Sequence, residues 1–578
     1  MIQRSTEFAR EKARTAMRYL SLEVHGLHAA VYVLAAAALL SSLLALVRDR
    51  LLAHTFGAST TLDIYYAGFR IPDLIFVAMG ALVSVYMLIP ELARRNEEEQ
   101  KDYIDTIIVG FSVCAVGVSL IAALWAPVIL PWLFPQLAAA GYSETLVLLT
   151  RIMLLQPIFL GFSNILAGVT QARQRYALYA ISPLLYNLGI IVGVLGFYPA
   201  WGIAGLAWGV VLGSLMHVSI QIPSLVGDGF LSRIPRLRDM RALVHTAMVS
   251  VPRALALSMN QIAFLGLTAL AGLLSAGSIA VFMFAYNLAA VPLSVIGASY
   301  SVAAFPTLAR ALSRGETEEF VRHVATAARY VFFWSMPASA LILILRAHIV
   351  RVILGSGAFN WDDTRLTAAA FALLSLALAA QGLMLLLVRG YYAAGKTFMP
   401  FLVAAGVAAG TLSLGASGLF ILTDQTLLHL TEHLLRVDDI PGSNVLILAF
   451  SYALSTILGA VVLALHFEKR FKGFLVQIAP AALESFLAAI AGGLGSYIFL
   501  SLASSFVVSS TTISIFVQGF AAGICGILVA GVAYYILGSR EFTEVYVSLH
   551  ARIWEKRTPS AAVTVASSAE DLGTTTSA

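Results

Sequence analysis

The chain has 578 residues, of which 59% are hydrophobic and only 12% are charged. A soluble domain carries about 25% charged residues, so this chain has too few polar side chains to cover a globule of its size in water. The composition excludes a string of soluble domains and predicts a protein whose solvent is the lipid bilayer.

The apolar residues are gathered into runs long enough to cross a membrane, since a spanning helix needs about 20 of them. The first run follows a polar, basic N-terminal segment and is too long for the apolar part of a signal peptide, so we expect it to be retained. Barrel strands would be shorter and would alternate polar with apolar residues. We predict an all-α integral membrane protein with about fourteen transmembrane helices, near 28–54, 61–92, 104–133, 143–170, 177–199, 202–224, 243–273, 277–310, 323–346, 363–390, 397–423, 444–466, 475–503 and 511–537.

Lysine and arginine are distributed unevenly between the two sides of these helices. If the N-terminus is cytoplasmic, the cytoplasmic tails and loops hold 26 of the 36 Lys and Arg residues, the opposite side holds six, and four lie within helices. Because basic loops stay in the cytoplasm, both termini are predicted to be cytoplasmic. The same bias explains the net charge of +5 without a nucleic-acid partner.

Two short stretches of the first half recur in the second half. MLIPELARR at 87–95 resembles AAFPTLARA at 303–311, and GVTQARQRY at 168–176 resembles GYYAAGKTF at 390–398. The offsets of 216 and 222 residues are close, and both copies cross the membrane in the same direction, as in transporters with parallel repeats. We therefore predict two six-helix lobes and two extra C-terminal helices. The predicted boundaries are a cytoplasmic basic segment at 1–27, an N-lobe at 28–224, a cytoplasmic linker at 225–242, a C-lobe at 243–466, the two extra helices at 467–537, and a partly disordered cytoplasmic tail at 538–578.

The stretch ALVRDRLLAHTFGASTTLDIYYAGFRIPD, residues 45–73, carries six charges between apolar runs. Arg50 and Asp63 suit helix ends, where headgroups and the helix dipole accommodate charge. Arg70 and Asp73 lie two to three turns into the second helix, where a charge at the bilayer centre costs about 2.5–3.5 kcal/mol. Such groups persist where they face water, a partner or a substrate.

Polar residues also lie in the helices that open the second half. Arg253 is followed two turns later, on the same helix face, by Asn260 and its neighbour Gln261, and Asn287 lies in the next helix. With the charges of the first half, they predict a wet, partly cationic cavity between the lobes. Its candidate substrate-binding residues are Arg48, Asp49, Arg70, Arg253, Asn260, Gln261 and Asn287.

A carboxylate within the membrane is the group that would couple transport to H⁺ or Na⁺. The candidates are Asp63, Asp73 and Glu484. For Glu484, as for Arg151 and Arg329, the favoured interpretation is packing against a partner side chain or snorkelling to a membrane interface. The sequence shows no nucleophile–base set, metal cluster or phosphate loop, so no enzyme is predicted, and its two cysteines predict neither a disulfide framework nor a metal site.

The first two helices resemble the signature of the MurJ (MviN) family, whose members flip lipid II, a polyprenyl-pyrophosphate-linked peptidoglycan precursor, across the bacterial inner membrane. VRDRLLAHTFGASTTLDIYYAGFRIPDL at 47–74 has the spacing of the family's R-D, F-G-A, T-D and A-F-[KR]-[LI]-P-[ND]-L elements. QRYALYAISPLLYNLGIIVG at 174–193 and VPRALALSMNQI at 251–262 are also similar to the family. The resemblance covers roughly residues 28–537, and it implies fourteen helices and a flippase of the MOP exporter superfamily that works by alternating access.

The chain departs from the family at most of the arginines that are thought to hold the pyrophosphate. Ser42 and Phe76-Val77 occupy two of these places, and the family's D-R-L in the eighth helix is Tyr286-Asn287-Leu288 here. Only Arg48 remains of that set, with Arg253 as an unusual cation that compensates in part. The resemblance therefore implies either lipid II or a related polyprenyl-linked glycan as the substrate.

Two other functions remain open from the sequence. One is an ion-coupled small-molecule or drug exporter of the same superfamily, and the other is a non-transporting scaffold for envelope assembly. For the flippase, the expected partners are the lipid-linked oligosaccharide and the phospholipid bilayer, and we expect a monomer in the bacterial inner membrane. No cofactor is expected, and the candidate driving forces are the membrane potential, Na⁺ and H⁺.

Overall fold

A computed structural model of the chain describes residues 27–82, 88, 91–92, 94–173, 175–230, 235–420, 426–438, 440–506 and 511–554. Within these ranges the chain forms helices and no strands. The first half contains α1 Leu27–Phe56, α2 Thr60–Leu82, α3 Glu97–Leu133, α4 Ser143–Met153, α5 Leu155–Ala172, α6 Tyr176–Val192 and α7 Ile203–Ser219. The second half contains α8 Met240–Ala271, α9 Ser278–Leu293, α10 Ser299–Ser313, α11 Thr317–Ile353, α12 Trp361–Ser375, α13 Leu378–Ala393, α14 Phe398–Phe420, α15 Thr426–Leu435 and α16 Val445–Arg470. The C-terminal helices are α17 Phe474–Phe506, α18 Thr512–Ile536 and α19 Arg540–Trp554.

The helices are long and apolar, as the composition predicts. Among the described residues, eleven helical stretches could cross a membrane by length and composition, or twelve if α12 and α13, bent by 44° at their junction, cross as one span. The predicted number of fourteen is therefore not confirmed. The two predicted spans outside this count are α1 and α2, and each carries three Asp or Arg residues.

The two halves pack their helices in the same order. In the first half α1 packs against α6, α6 packs against α7, and the α4–α5 pair contacts α2, α3 and α7. In the second half α8 packs against α14, α14 packs against α16, and the α12–α13 pair contacts α9, α11 and α16. This correspondence is the one expected of two related six-helix lobes. The residue boundaries of the predicted segments stay predictions.

Among the described residues, buried apolar side chains form three large clusters and one small cluster, the small one around Phe333 of α11, Ala488 of α17 and Tyr534 of α18. The largest lies at the end of the bundle that contains the α1–α2 loop, and both halves contribute to it, with Tyr65 from the first and Phe282 from the second. At the opposite end, which contains the linker before α8, one cluster around Ile107 comes almost entirely from the first half. Another cluster, around Phe320, comes from the second half and the start of α17. The halves thus share a core at the α1–α2 end and have separate cores at the linker end. Helix α8 contacts both halves, since it packs against α2 of the first and α14 of the second.

Helices α6 and α7 cross in close contact because glycines face each other at the crossing. A Cβ on Gly189 would lie 2.2 Å from the Cα of Gly213, and a Cβ on Gly193 would lie 2.6 Å from the Cα of Gly209. Small residues let membrane helices approach until their backbones touch. This contact fixes the position of α6, which carries Asn187 two residues before the first of these glycines.

The C-terminal helices attach to the second half. Both α17 and α18 pack along α11, and α19 folds back against the first half of α11. There Arg329, for which a packing partner is expected, forms an ion pair with Glu541. The neighbouring Tyr330 hydroxyl donates to Glu544 over 2.5 Å.

Replacing Glu541 with alanine should release α19 from the bundle. Glu541 is 3% exposed, and its loss leaves a largely buried guanidinium unpaired, which costs about 3 kcal/mol when the partner is partly exposed. We expect a lower melting temperature in detergent and faster proteolysis of the loop between α18 and α19. The matched control is Arg540→Ala, because the pair between Arg540 and Glu544 is exposed. Equal melting temperatures for Glu541→Ala and the unaltered protein would contradict the assignment.

Candidate functional site

Two of the charged residues of α1, Arg48 and Asp49, form an ion pair near the plane where the two halves meet. The Nε and Nη2 atoms of Arg48 donate to Oδ1 of Asp49 over 2.9 and 2.8 Å. The Asp49 side chain is 4% exposed and that of Arg48 is 19% exposed. The guanidinium is thus the more accessible member of the pair.

Two asparagines hold this pair in place from neighbouring helices. Nη1 of Arg48 donates to Oδ1 of Asn187 in α6 over 2.9 Å. Nδ2 of Asn287 in α9 donates to Oδ2 of Asp49 over 3.0 Å. Because α9 belongs to the second half, the bond from Asn287 joins the two halves through the ion pair. Asn287, which occupies the position of the arginine in the family's D-R-L, therefore pairs with Asp49 in this protein.

Sequence reasoning missed Asn187. A single amide in an apolar helix looks like an ordinary buried polar residue. The one local signal is its position four residues after Pro183, where the amide can bond to a backbone carbonyl of its own helix. Its Nδ2 atom donates to the Pro183 carbonyl over 3.1 Å, which leaves the amide oxygen directed at Arg48.

The second arginine, Arg70, has its own carboxylate. Its Nη2 atom lies 3.4 Å from Oδ2 of Asp73, its Nε donates to the Tyr66 carbonyl over 3.1 Å, and its guanidinium lies 5.9 Å from the ring centroid of Phe264. Oδ1 of Asp73 accepts from Nε2 of Gln156 over 3.3 Å, another contact that the sequence did not suggest. Arg70 is 6% exposed and the Asp73 side chain is 26% exposed.

The two ion pairs lie near each other, since Tyr65 and Tyr186 interact electrostatically with both Arg48 and Asp73. We call the residues that form the pairs and hydrogen-bond to them the central polar cluster: Arg48, Asp49, Arg70, Asp73, Gln156, Asn187 and Asn287. Its two arginines are balanced by its two aspartates. Four helices of the first half and one of the second supply it.

This arrangement corrects one expectation. The sequence predicts a single aqueous, partly cationic space lined by Arg48, Arg70 and Arg253, whereas Arg48 and Arg70 lie in separate ion pairs, and Arg70 is buried. Each guanidinium is neutralised by an aspartate one or three residues away in its own helix, because an unpaired charge at this depth is costly. The backbone of Arg253 lies in α8, and its side chain falls outside the described residues.

Asp63, an ion-coupling candidate, acts as a helix cap across the two halves. Its Oδ2 accepts from the backbone N–H of Gly277 over 2.6 Å, and its Oδ1 accepts from that of Ala280 over 2.9 Å. These groups belong to the first turn of α9, whose N–H groups have no partner within the helix. Asp63 is 4% exposed, so its carboxylate is fully committed to this cap in the present conformation.

Further hydrogen bonds close the same end of the bundle. Nη1 of Arg50 donates to the carbonyls of Val352 and Ile353 over 2.6 and 3.0 Å. The backbone N–H of Ala58 donates to Oδ2 of Asp363 over 3.3 Å. Together with the Asp63 cap, these bonds tie α1 and α2 to α9, α11 and α12 at the α1–α2 end.

The remaining predicted residues lie apart from the central polar cluster. Asn260 is exposed and lines a cavity within the second half. Gln261, beside it, is half-buried. Glu484 lies in α17 near Tyr534, and α17 packs along α11. Within the described residues no group of three or more His, Cys, Asp or Glu side chains could hold a metal ion.

Comparison with known proteins agrees with the motifs of the first two helices. A family model described as lipid II flippase MurJ matches residues 52–517. The probable lipid II flippase MurJ of Thermotoga maritima is 26% identical over 453 residues, which cover 76% of this chain and 90% of that protein. The lipid II flippase MurJ of Burkholderia cenocepacia is 24% identical over 383 residues, which cover 64% of this chain and 74% of that protein.

Solved structures agree on the fold. A lipid II flippase MurJ in an inward closed conformation superposes with a TM-score of 0.67 at 19% identity, covering 89% of this chain and 99% of that one. An inward-facing multidrug resistance MATE transporter of the MOP superfamily gives a TM-score of 0.62 at 15% identity, and the match covers 75% of this chain and 95% of that one. Since the family model matches well over half of its residues, the chain belongs to the MurJ family and is a multi-pass bacterial membrane protein.

Proposed function

We propose that the protein is a flippase that carries lipid II, or a related polyprenyl-linked glycan, across the inner membrane by alternating access. The observation that carries the proposal is the Arg48–Asp49 pair, held between the two halves of a MurJ-family chain by Asn187 and Asn287. A transporter needs a substrate-binding group at the surface where its two halves separate and rejoin. The proposal includes no chemical conversion of the substrate and no cofactor, and it assigns the activity to a monomer.

The distribution of the core supports alternating access. A shared apolar core and the bonds of Arg50, Ala58 and Asp63 close the α1–α2 end, whereas the linker end has a separate core in each half. A rigid-body motion of the halves would open the α1–α2 end and close the linker end, because packed interfaces switch between discrete states. With the predicted topology, the present conformation is closed toward the outside.

Arg48 is the side chain best suited to a pyrophosphate. A guanidinium offers a planar fork of donors that fits two phosphate oxygens. In the absence of substrate, Asp49 neutralises the guanidinium, so a phosphate would compete with this carboxylate for the same donors. Asn287 keeps Asp49 tied to the second half, so the exchange of partners on Arg48 alters the contact between the halves.

An apolar groove supports a lipid-linked substrate. A cavity of about 350 Å³ lies between the end of α11 and the first half of α18, lined by Ile349, Val352, Phe516 and Phe520, among others. The carbonyl of Val352 also accepts from Arg50 in α1, so the groove lies beside the contact between the halves. A polyprenyl chain could stay in such a groove while its head group moves through the protein.

Among the three ion-coupling candidates, Asp73 is the one in the central polar cluster, and we propose it as the coupling carboxylate. If it carries the coupled ion, Asp73→Asn should abolish the effect of an imposed pH or Na⁺ gradient on transport in vesicles and leave exchange without a gradient measurable. A gradient response equal to that of the unaltered protein would exclude Asp73. Coupling to the membrane potential alone would be unaffected by this substitution.

The proposed topology places both termini and the α10–α11 loop in the cytoplasm and the loop after α15 outside. Single cysteines at Arg314 and Asp438, both exposed positions, can test it after Cys114 and Cys525 are replaced by serine. An impermeant maleimide added to intact spheroplasts should label Asp438→Cys and spare Arg314→Cys. The opposite pattern would reverse the orientation.

The function itself is tested by complementation. Expression of the protein should restore growth to a strain depleted of its own lipid II flippase, and an empty vector should not. If growth fails although the protein reaches normal membrane abundance, removal of the gene from the native host will show which lipid accumulates. If that lipid is a different lipid-linked glycan, the proposal moves to that glycan. Failure with no accumulating lipid would favour the exporter or scaffold alternatives.

A further inference from the structure

The second half contains a cavity that the proposed flippase function does not use. It has a volume of about 340 Å³ and lies inside the lobe, between α8, α9, α13, α14 and α16. Ligand pockets in proteins measure about 300–1,000 Å³, so this cavity is at the small end of the range. The central polar cluster lies outside it.

The chemistry of the walls restricts what the cavity can hold. The described residues that line it include no charged side chain; most are alanine, leucine, valine and methionine. A charged ligand would lose its hydration there without an opposite charge to replace it. The occupant must therefore be uncharged and mostly apolar.

Two amides give the cavity a specific polar feature. Asn260 from α8 and Gln381 from α13 both line it. Across the part of the chain that the structure describes, neither side-chain amide has a hydrogen-bond partner, so each offers a donor and an acceptor to a ligand. The rings of Tyr286 and Tyr452, with centroids 6.0 Å apart, form an aromatic wall, and the flexible Met384 can adapt to the ligand's shape.

We propose that this cavity is a binding site for an uncharged small molecule with an aromatic or aliphatic body and one amide-like group that pairs with Asn260 or Gln381. The site also reaches the contact between the halves, because Tyr286 is part of its wall and the next residue, Asn287, donates to Asp49. The site is independent of the proposed flippase function, and its test involves no transport measurement.

Benzanilide is a suitable probe, since it is an uncharged amide with two aromatic rings. Binding of the radiolabelled compound to the full-length protein in lipid nanodiscs should be saturable, at one molecule per protein, above the level of empty nanodiscs. Ala404→Trp, which places an indole in the cavity, should abolish this binding. The matched control is Leu402→Trp on the same helix, because Leu402 is 45% exposed and does not line the cavity.

Two further measurements make the test specific. Asn260→Leu should weaken binding about 5-fold, the effect of one lost neutral hydrogen bond, and 4-benzamidobenzoate, the carboxylate analogue, should fail to compete. Melting temperatures of all variants check that they are folded. Absence of saturable binding, which is expected if bilayer acyl chains fill the cavity, or equal binding by Ala404→Trp and Leu402→Trp, would overturn the proposal.

Discussion

Arg48→Lys should fail to restore growth to a strain depleted of its lipid II flippase. Arg48 donates to Asp49 and Asn187 simultaneously, and a lysine ammonium cannot reproduce that fork or present it to a pyrophosphate. Losing two charge-assisted hydrogen bonds costs about 3 kcal/mol or more, which corresponds to a decrease in transport of at least about 100-fold. The measurement is growth, followed by transport in vesicles, at matched membrane abundance.

The control for this substitution is Arg322→Lys. Arg322 is two-thirds exposed and pairs with Glu319 one helical turn before it, so the conservative change there should have no effect. If Arg48→Lys also restored growth fully, Arg48 would be a helix-end anchor for which any cation suffices. The flippase proposal would then lose its principal residue.

Asp63→Ala should open the α1–α2 end of the bundle. The substitution leaves the buried N–H groups of Gly277 and Ala280 without their acceptors, at a cost of about 1–3 kcal/mol for each group. A single cysteine at Ala58, which packs against Gly277, should then react with an impermeant maleimide at least about 10-fold faster. The rate is measured in spheroplasts with the two native cysteines replaced.

Asp63→Asn distinguishes the cap from an ion-coupling role. Asparagine keeps one side-chain acceptor for the first turn of α9 and is a good cap, so it should largely preserve both the slow labelling and transport. A coupling carboxylate has no such tolerance, because an amide cannot gain and lose a proton. Loss of gradient-driven transport in Asp63→Asn, with labelling still slow, would return Asp63 to the coupling role.

The fold follows from features that act along the whole chain. The scarcity of charge dictates a membrane protein, and the length of the apolar runs dictates helices. The weak internal repeat indicates two lobes, whose helices pack in matching order. The number of spans is the part that composition leaves open, since α1 and α2 each combine apolar residues with three charged ones.

The site could be predicted only in part. Charged residues in apolar helices are conspicuous, so Arg48, Asp49, Arg70 and Asp73 could be singled out from the sequence. Their pairing could not, because it depends on rotamers and on which neighbours face them. The partner of Asp63 lies 214 residues away, and an interaction across such a distance leaves no local pattern.

The amide side chains of the site could not be assigned a function from the sequence either. Asn187 and Gln156 resemble ordinary polar residues of a helix, and their function is visible only once α6 and α5 pack beside α1 and α2. Asn260 and Asn287 were expected to line one space. They point to different places, one into the cavity of the second half and the other to Asp49.

The most direct test of the account is translocation of fluorescent lipid II in vesicles that contain only this protein. Dithionite added outside bleaches the dye in the outer leaflet, so empty vesicles keep a protected inner pool. Vesicles with the unaltered protein should lose that pool, and vesicles with Arg48→Ala at the same density should keep it. A protected pool as large with the unaltered protein as in empty vesicles would contradict the flippase assignment, and its loss with Arg48→Ala would contradict the assignment of Arg48.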